Sequence, residues 1–409
     1  MPTAAGPRAR RVIAFVNAGH FMDHLLMLVF PTAVLGMVGE AGDGFGLSYG
    51  ELLPLSLGGF IAFGAGSIPA GWLGDLWSRR NMMVVFFLGM GGASVLTGFA
   101  PTPAWLAVGM TGIGLFGAIY HPVGTALLTA HARRIGREIG VNGVWGNLGI
   151  AVAALATGAL TQWLGWRAAF VAPGVLCMAM GLAMPALVPD EPAVRKAGAA
   201  ATAAIPRAVV VRAFAVLAVT TVFGSLVFNA AVIALPKLFD ERVGALAATP
   251  LGIGALLCGV YVIGATSQLI VGRLVDRHTL RRIFIPLSLL QAPCLALAAT
   301  AENWGLVAVA VAAMFAIFGQ VTINDTMVAR YTDQHWRARA YAIRYLVSFA
   351  ASAAAVPLVA GLHERTGGFT LVFLVLAGGG AAIFLSALAF PHRPDEVAPQ
   401  AAPAVAAAE

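Results

Sequence analysis

The chain has 409 residues, of which 59% are hydrophobic and only 11% charged, with a formal net charge of +7 and a mean hydropathy of +0.86. Soluble domains carry roughly 25% charged residues. The length alone would accommodate two or three soluble domains, but apolar stretches of twenty or more residues recur throughout, so most of the surface of this protein cannot face water.

The N-terminus carries Arg8, Arg10 and Arg11 and then opens into an apolar run from Val12 to Val38. A signal peptide has a shorter apolar core and a small-residue cleavage site, so this run reads as a retained first span. Along the chain, hydropathy predicts twelve spans, near 12–38, 49–73, 82–100, 104–132, 139–164, 166–188, 210–238, 248–274, 282–301, 304–331, 340–364 and 367–391. The expected organisation is a cytoplasmic N-terminus over 1–11, a six-helix bundle over 12–188, an Ala- and Pro-rich cytoplasmic linker over 189–209, a second six-helix bundle over 210–391 and a disordered cytoplasmic tail over 392–409. Pro54, Pro69, Pro173, Pro286 and Pro357 fall within spans, where kinks are expected. Cys177, Cys258 and Cys294 lie in apolar segments without paired spacing and read as small core residues.

Between spans two and three stands Gly71-Trp-Leu-Gly-Asp75-Leu-Trp-Ser-Arg79-Arg80. It returns between spans eight and nine as Gly272-Arg-Leu-Val-Asp276-Arg-His-Thr-Leu-Arg281-Arg282, with glycine and aspartate both offset by 201 residues. A repeat of that period in a membrane chain points to two homologous halves around one pathway, the pattern of a transporter. Arg167, Lys237, Arg242 and Arg365 lie in loops on the side away from the N-terminus, and Arg344 lies within a span; the rest of the 25 Lys and Arg gather on the N-terminal side. That asymmetry predicts cytoplasmic termini and accounts for the net charge without a nucleic-acid partner. No phosphate-cradling loop, no metal-ligand spacing in the loops and no soluble stretch long enough for a catalytic domain is present, so neither an enzyme nor a cofactor is expected.

Twelve spans, a central inner loop and two Gly-x-Leu-x-Asp phrases in matching positions resemble the major facilitator superfamily over nearly the whole chain. A narrower likeness, to fosmidomycin-resistance exporters, rests on His20-Phe-Met-Asp23, Tyr120-His121-Pro122 and Gly146-Asn147-Leu148-Gly149. The resemblance implies an all-α fold of two pseudo-symmetric six-helix bundles working by alternating access. It also implies a gating role for the repeated phrase (Gly71, Asp75, Arg79, Arg80, Gly272, Asp276, Arg281 and Arg282), although the arginines serve equally as loop anchors. Two features of the superfamily pattern are absent: Met110 stands where many proton-coupled members have arginine, and Gly146-Asn147 stands where antiporters have Gly-Pro. The first absence shifts weight to the histidines as proton carriers, and the second weighs against drug antiport, so the direction of transport stays open.

In span one, Asn17, His20, Asp23 and His24 share an arc of about 120° at mid-depth. An ionised Asp at a helix centre costs roughly 2.5–3.5 kcal/mol on insertion scales, so Asp23 needs a partner or a watery cavity. His121 in span four belongs at similar depth, and the superfamily fold sets spans one and four side by side. The cluster is expected to carry a coupling proton, with Asp23 and His121 as the titrating groups; the competing reading is a static polar core. Tyr120, Thr125, Asn229, Gln320, Asn324, Asp325 and Arg344 are the further candidate cavity residues, and Asp325 and Arg344 should meet as a buried pair that is either a structural lock or an anion site. The expected function is proton-coupled efflux of a small organic compound by a monomer in a bacterial inner membrane. The alternatives are proton-coupled uptake of a small organic anion and a sensor of the same fold that moves nothing.

Overall fold

The computed structural model describes residues 6–38, 45–132, 135–190, 206–244, 246–332 and 334–392, the side chains of 135–137, 334–339, 341 and 342 excepted. Most of the predicted linker and tail, and residues 1–5, lie outside the described residues. Twelve membrane-crossing units follow one another: α1 (Pro7–Met27, continued by Val29–Gly36), α2 (Tyr49–Leu76), α3 (Arg79–Gly98), α4 (Pro103–His131), α5 (Ile135–Leu164), α6 (Trp166–Leu187), α7 (Arg207–Arg242), α8 (Pro250–Val275), α9 (Leu280–Ala298), α10 (Asn303–Tyr331), α11 (Gln334–Thr366) and α12 (Thr370–Leu388). Eleven are single helices long and apolar enough to span a bilayer, and the two pieces of α1 make the twelfth. Among the described residues there is no strand.

Local sequence sets the helix starts. Ser48 and Glu51 close a reciprocal capping box at the head of α2, with Ser48 Oγ accepting from the Glu51 amide at 3.2 Å and the Ser48 amide donating to Glu51 Oε2 at 2.9 Å. Thr102-Pro103 and Thr249-Pro250 open α4 and α8 with a hydroxyl cap followed by proline in the first turn, where its missing N–H costs nothing. Helices α5 and α11 begin four and six residues before the predicted spans, because their polar ends run on past the apolar core that hydropathy detects.

The prolines within spans fall in two settings. Pro54 sits in a 3₁₀ turn over Leu53–Ser56, whereas Pro69, Pro173, Pro286 and Pro357 lie inside continuous helices. The two pieces of α1 meet at a 41° bend. Pro31 explains it, since proline cannot donate to the Met27 carbonyl one turn earlier.

Helices α1–α6 and α7–α12 form two bundles facing each other, joined chiefly by α5 against α8 and α2 against α11. At the end away from the repeated phrases the halves interlock. Ser48 Oγ donates to Glu364 Oε2 at 3.4 Å, the Tyr49 and His363 rings lie 4.9 Å apart, and the Leu251 amide donates to Gln162 Oε1 at 3.2 Å. Backbones touch there: a Cβ on Gly158 would come 2.2 Å from the Pro250 carbonyl oxygen, and one on Gly254 would come 2.3 Å from that of Ala154. Only glycine permits this approach. Gly158→Ala and Gly254→Ala should therefore each lower stability by about 1–3 kcal/mol, read as a fall in melting temperature, and raise thiol labelling of a cysteine placed at Gln162.

Candidate functional site

The polar stripe of α1 turns into the first bundle, as its spacing predicts. Asn17 and Asp23 are buried at 6% and 1% exposure, and His20 and His24 are partly buried. The floor under His20 is Gly146 of α5, where a Cβ would lie 2.6 Å from the imidazole. His20 Nδ1 lies 2.7 Å from the Asn142 backbone oxygen, and His20 Nε2 lies 3.1 Å from His24 Nε2. A carbonyl oxygen only accepts, so Nδ1 of His20 carries the proton and Nε2 of the neutral ring presents a lone pair.

Asn142 holds the other polar groups behind this face. Its amide nitrogen donates to Asn17 Oδ1 and to the Tyr120 hydroxyl, each at 2.9 Å, while Tyr120 donates to the Val16 carbonyl at 3.1 Å. The Tyr120 ring stacks on His20 at 4.9 Å between centroids. Tyr120 and His121 begin a π-helical turn over Tyr120–Gly124, where Pro122 withholds an N–H from the Ala118 carbonyl. His121 Nε2 thereby comes 3.5 Å from Asp23 Oδ2; the other oxygen, Oδ1, is buried without a hydrogen-bond partner. The His121 ring also faces Tyr345 and Phe349 of the second half, at 6.2 and 6.3 Å.

These groups form one wall of a cavity of about 220 Å³ at mid-depth between the halves. Asp23, His24, Phe63 and His121 line it from the first half; Asn229, Gln320, Asn324, Arg344 and Ser352 line it from the second. The second wall is a hydroxyl and amide lattice: Ser225 Oγ and Ser348 Oγ lie 2.5 Å apart, Asn229 Nδ2 donates to Ser352 Oγ at 2.7 Å, and Gln320 Nε2 donates to Asn324 Oδ1 at 3.0 Å. Arg344 pairs with Asp325, with side-chain exposures of 11% and 47%. The expected pair is present but half-open rather than buried, because Asp325 projects toward the end that bears the repeated phrases. Asn17 and Tyr120 lie behind the wall, Tyr120 at 0% exposure, and Thr125 is exposed beyond the π turn. They support or adjoin the cavity instead of lining it.

The two phrases are not equivalent in three dimensions. Gly71 packs on Pro122, where a Cβ would lie 3.2 Å from its ring, whereas a Cβ on Gly272 would meet nothing within 4 Å. Asp75 pairs with Arg79 at 2.9 Å, its own side chain 58% exposed. Arg80 lies 3.7 Å from Asp190, which also accepts from Ser78 at 2.5 Å. In the second copy Asp276 and Arg282 are exposed, and Arg281 donates to the carbonyls of Phe390 and Leu388 at 2.8 and 3.0 Å, capping the end of α12. Arg281 is thus an anchor in this state.

Sequence reasoning missed Asn142, Gly146 as the floor of His20, and Asp190. An asparagine inside an apolar span was a usable signal for the first; the others depend on packing between distant segments. One hydrogen bond also crosses between the halves near the repeated phrases, Asn147 Nδ2 to Gln268 Oε1 at 2.7 Å.

Comparison with known proteins agrees with this architecture. Solved structures of a bacterial homolog of the human lysosomal transporter Spinster, inward-facing and either unoccupied or occupied, superpose with TM-scores of 0.71 and 0.72. Each covers 95% of both chains at 14% and 15% identity. Puromycin resistance protein pur8 of Streptomyces alboniger is 38% identical over 111 residues, which is 26% of this chain and 22% of that protein. Residues 16–264 and 217–408 both match the Major Facilitator Superfamily profile. The chain is therefore a multi-pass membrane transporter, not an enzyme, and belongs to the Major Facilitator Superfamily.

Proposed function

We propose that the protein exports a small organic compound across a bacterial inner membrane in exchange for protons, as a monomer with both termini in the cytoplasm. The observation that carries this reading is the cavity between the halves, closed at one end by the Ser48–Glu364 and Tyr49–His363 contacts and walled at mid-depth by an acid and imidazoles. The likeness to a protein named for puromycin resistance, though it spans only 22% of that protein, supports a drug-like cargo. The arginine asymmetry supports cytoplasmic repeated phrases; under that orientation this state is open inward and Asp75, held by Arg79 at the head of α3, is an unlatched gate residue. Closure would bring Asp75 to the opposite half, and the far-end contacts would part.

Asp23 and His121 carry the coupling proton in this reading, with His20 and His24 beside them and substrate held by the lattice of Asn229, Gln320 and Asn324. In proteoliposomes given a pH gradient and a panel that includes puromycin and phosphonate antibiotics, Asp23→Asn and His121→Gln should each cut gradient-driven flux by ~10-fold or more while leaving binding measurable. Gradient-driven flux unchanged in both variants would remove the cluster from coupling.

A second reading, uptake of an organic anion by proton symport, is favoured by one observation: Arg344 lines the cavity at 11% exposure. Under it, Arg344→Gln should weaken competition by anionic compounds about tenfold, the loss of roughly one charge-assisted contact, and leave cationic compounds unaffected. Equal effects on both classes would return the Asp325–Arg344 pair to a structural lock.

A further inference from the structure

The wall of the cavity brings together three side chains that no loop spacing announces. One ring nitrogen from each of His20, His24 and His121 lies within 4.8 Å of the other two. We propose that these three imidazoles form a binding site for a divalent transition-metal ion, reached from the cavity, irrespective of which organic compound the protein moves.

The ring orientations carry the argument. The Asn142 carbonyl takes the Nδ1 proton of His20 at 2.7 Å, so the lone pair of His20 Nε2 points at His24 Nε2, 3.1 Å away. Fixing one ring nitrogen with a backbone carbonyl is how metal-ligating histidines are usually oriented. Two nitrogens on one tetrahedral ion, with bonds near 2.0–2.1 Å, stand about 3.3 Å apart, close to this spacing. A single shared proton would account for His20 and His24 but not for the third ring, whose centroid lies 5.4 Å from that of His20 and 6.0 Å from that of His24.

Charge points the same way. Asp23, at 1% exposure, has one oxygen without a hydrogen-bond partner and the other 3.5 Å from His121 Nε2. A divalent ion among neutral imidazoles would neutralise that carboxylate, which stands where a fourth oxygen ligand or an outer-shell partner of His121 belongs. Because His24, His121 and Asp23 all border the cavity, a remaining coordination position would face it, open to water or to a donor atom of a transported compound. Three imidazole donors select zinc, cobalt, nickel or copper over magnesium or calcium, which require oxygen ligands. Protons and the metal are then alternative occupants of the same lone pairs.

The test is cobalt(II) titration of full-length protein purified in detergent without a histidine tag and stripped of metal with chelator. The expected result is saturable visible absorption of four-coordinate cobalt at one ion per chain, displaced by zinc. His24→Gln and His121→Gln should each weaken binding by more than the roughly 10–100-fold that loss of an outer-shell partner costs, His24→Cys should retain it with added thiolate-to-metal absorption, and His278→Gln, on the exposed loop of the second phrase, should leave it unchanged. Melting temperature and monodispersity establish that each variant is folded. Absence of saturable absorption in the unmodified protein, or absorption unaltered in both glutamine variants, would overturn the proposal; the first of these needs no variant to fold.

Discussion

A polar side chain in the hydrocarbon of a bilayer has no water to fall back on, and the first half of this protein is organised around that constraint. Helix α1 carries two histidines, an aspartate and an asparagine through mid-depth on one stripe, and each must be met from a neighbouring helix. Asn142 of α5 meets Asn17 and His20, Tyr120 of α4 closes the network from behind, and His121 reaches Asp23. The glycines of α5 serve the same end, since Gly146 lets His20 lie against the helix backbone and Gly149 approaches the Phe21 carbonyl. Substituting them would separate the donors from their acceptors. The close packing and the polar network are one requirement seen from two sides.

The network leaves one group under-satisfied, an oxygen of Asp23, and that group lies at the cavity wall. A buried carboxylate with an unmet lone pair has a standing affinity for a proton or a cation. The second half contrasts with this. Its cavity-lining serines, asparagines and glutamine bond one another or the backbone, and Arg344 is paired with Asp325. Hydroxyls and amides that bond one another, together with Arg344, thus face an acid and imidazoles across the cavity.

Sequence and structure diverge most at the two repeated phrases. Their spacing made the two halves evident, yet only the first copy packs its glycine against a partner, and the arginine that Asp75 holds four residues on is replaced by Leu280 in the second. The second copy spends Arg281 on the end of α12. Duplicated sequence preserves the turn that each half needs, and each copy then answers to whatever neighbours its own bundle supplies. Likewise the prolines were legible as breakers, and Pro31, Pro54 and Pro122 do fall at a bend, a 3₁₀ turn and a π turn, whereas Pro69, Pro173, Pro286 and Pro357 lie within single helices.

The chain by itself determined its succession of apolar spans, its two related phrases, and how far along its helix each polar residue stands. Each follows from a one-dimensional quantity: hydropathy summed over about twenty residues, a repeat offset, and a rise of about 1.5 Å per residue along a helix. Tertiary structure decided which residues at equal depth face one another. Asp23 and His121 meet, Asn142 binds His20, Tyr120 is buried behind the cavity and Thr125 is turned away from it, and Asp325 stands half-open beside Arg344. Depth is written in the order of residues, but rotation about the helix axis and the choice of neighbour come from packing between segments a hundred residues apart, where a single glycine sets how closely two backbones approach.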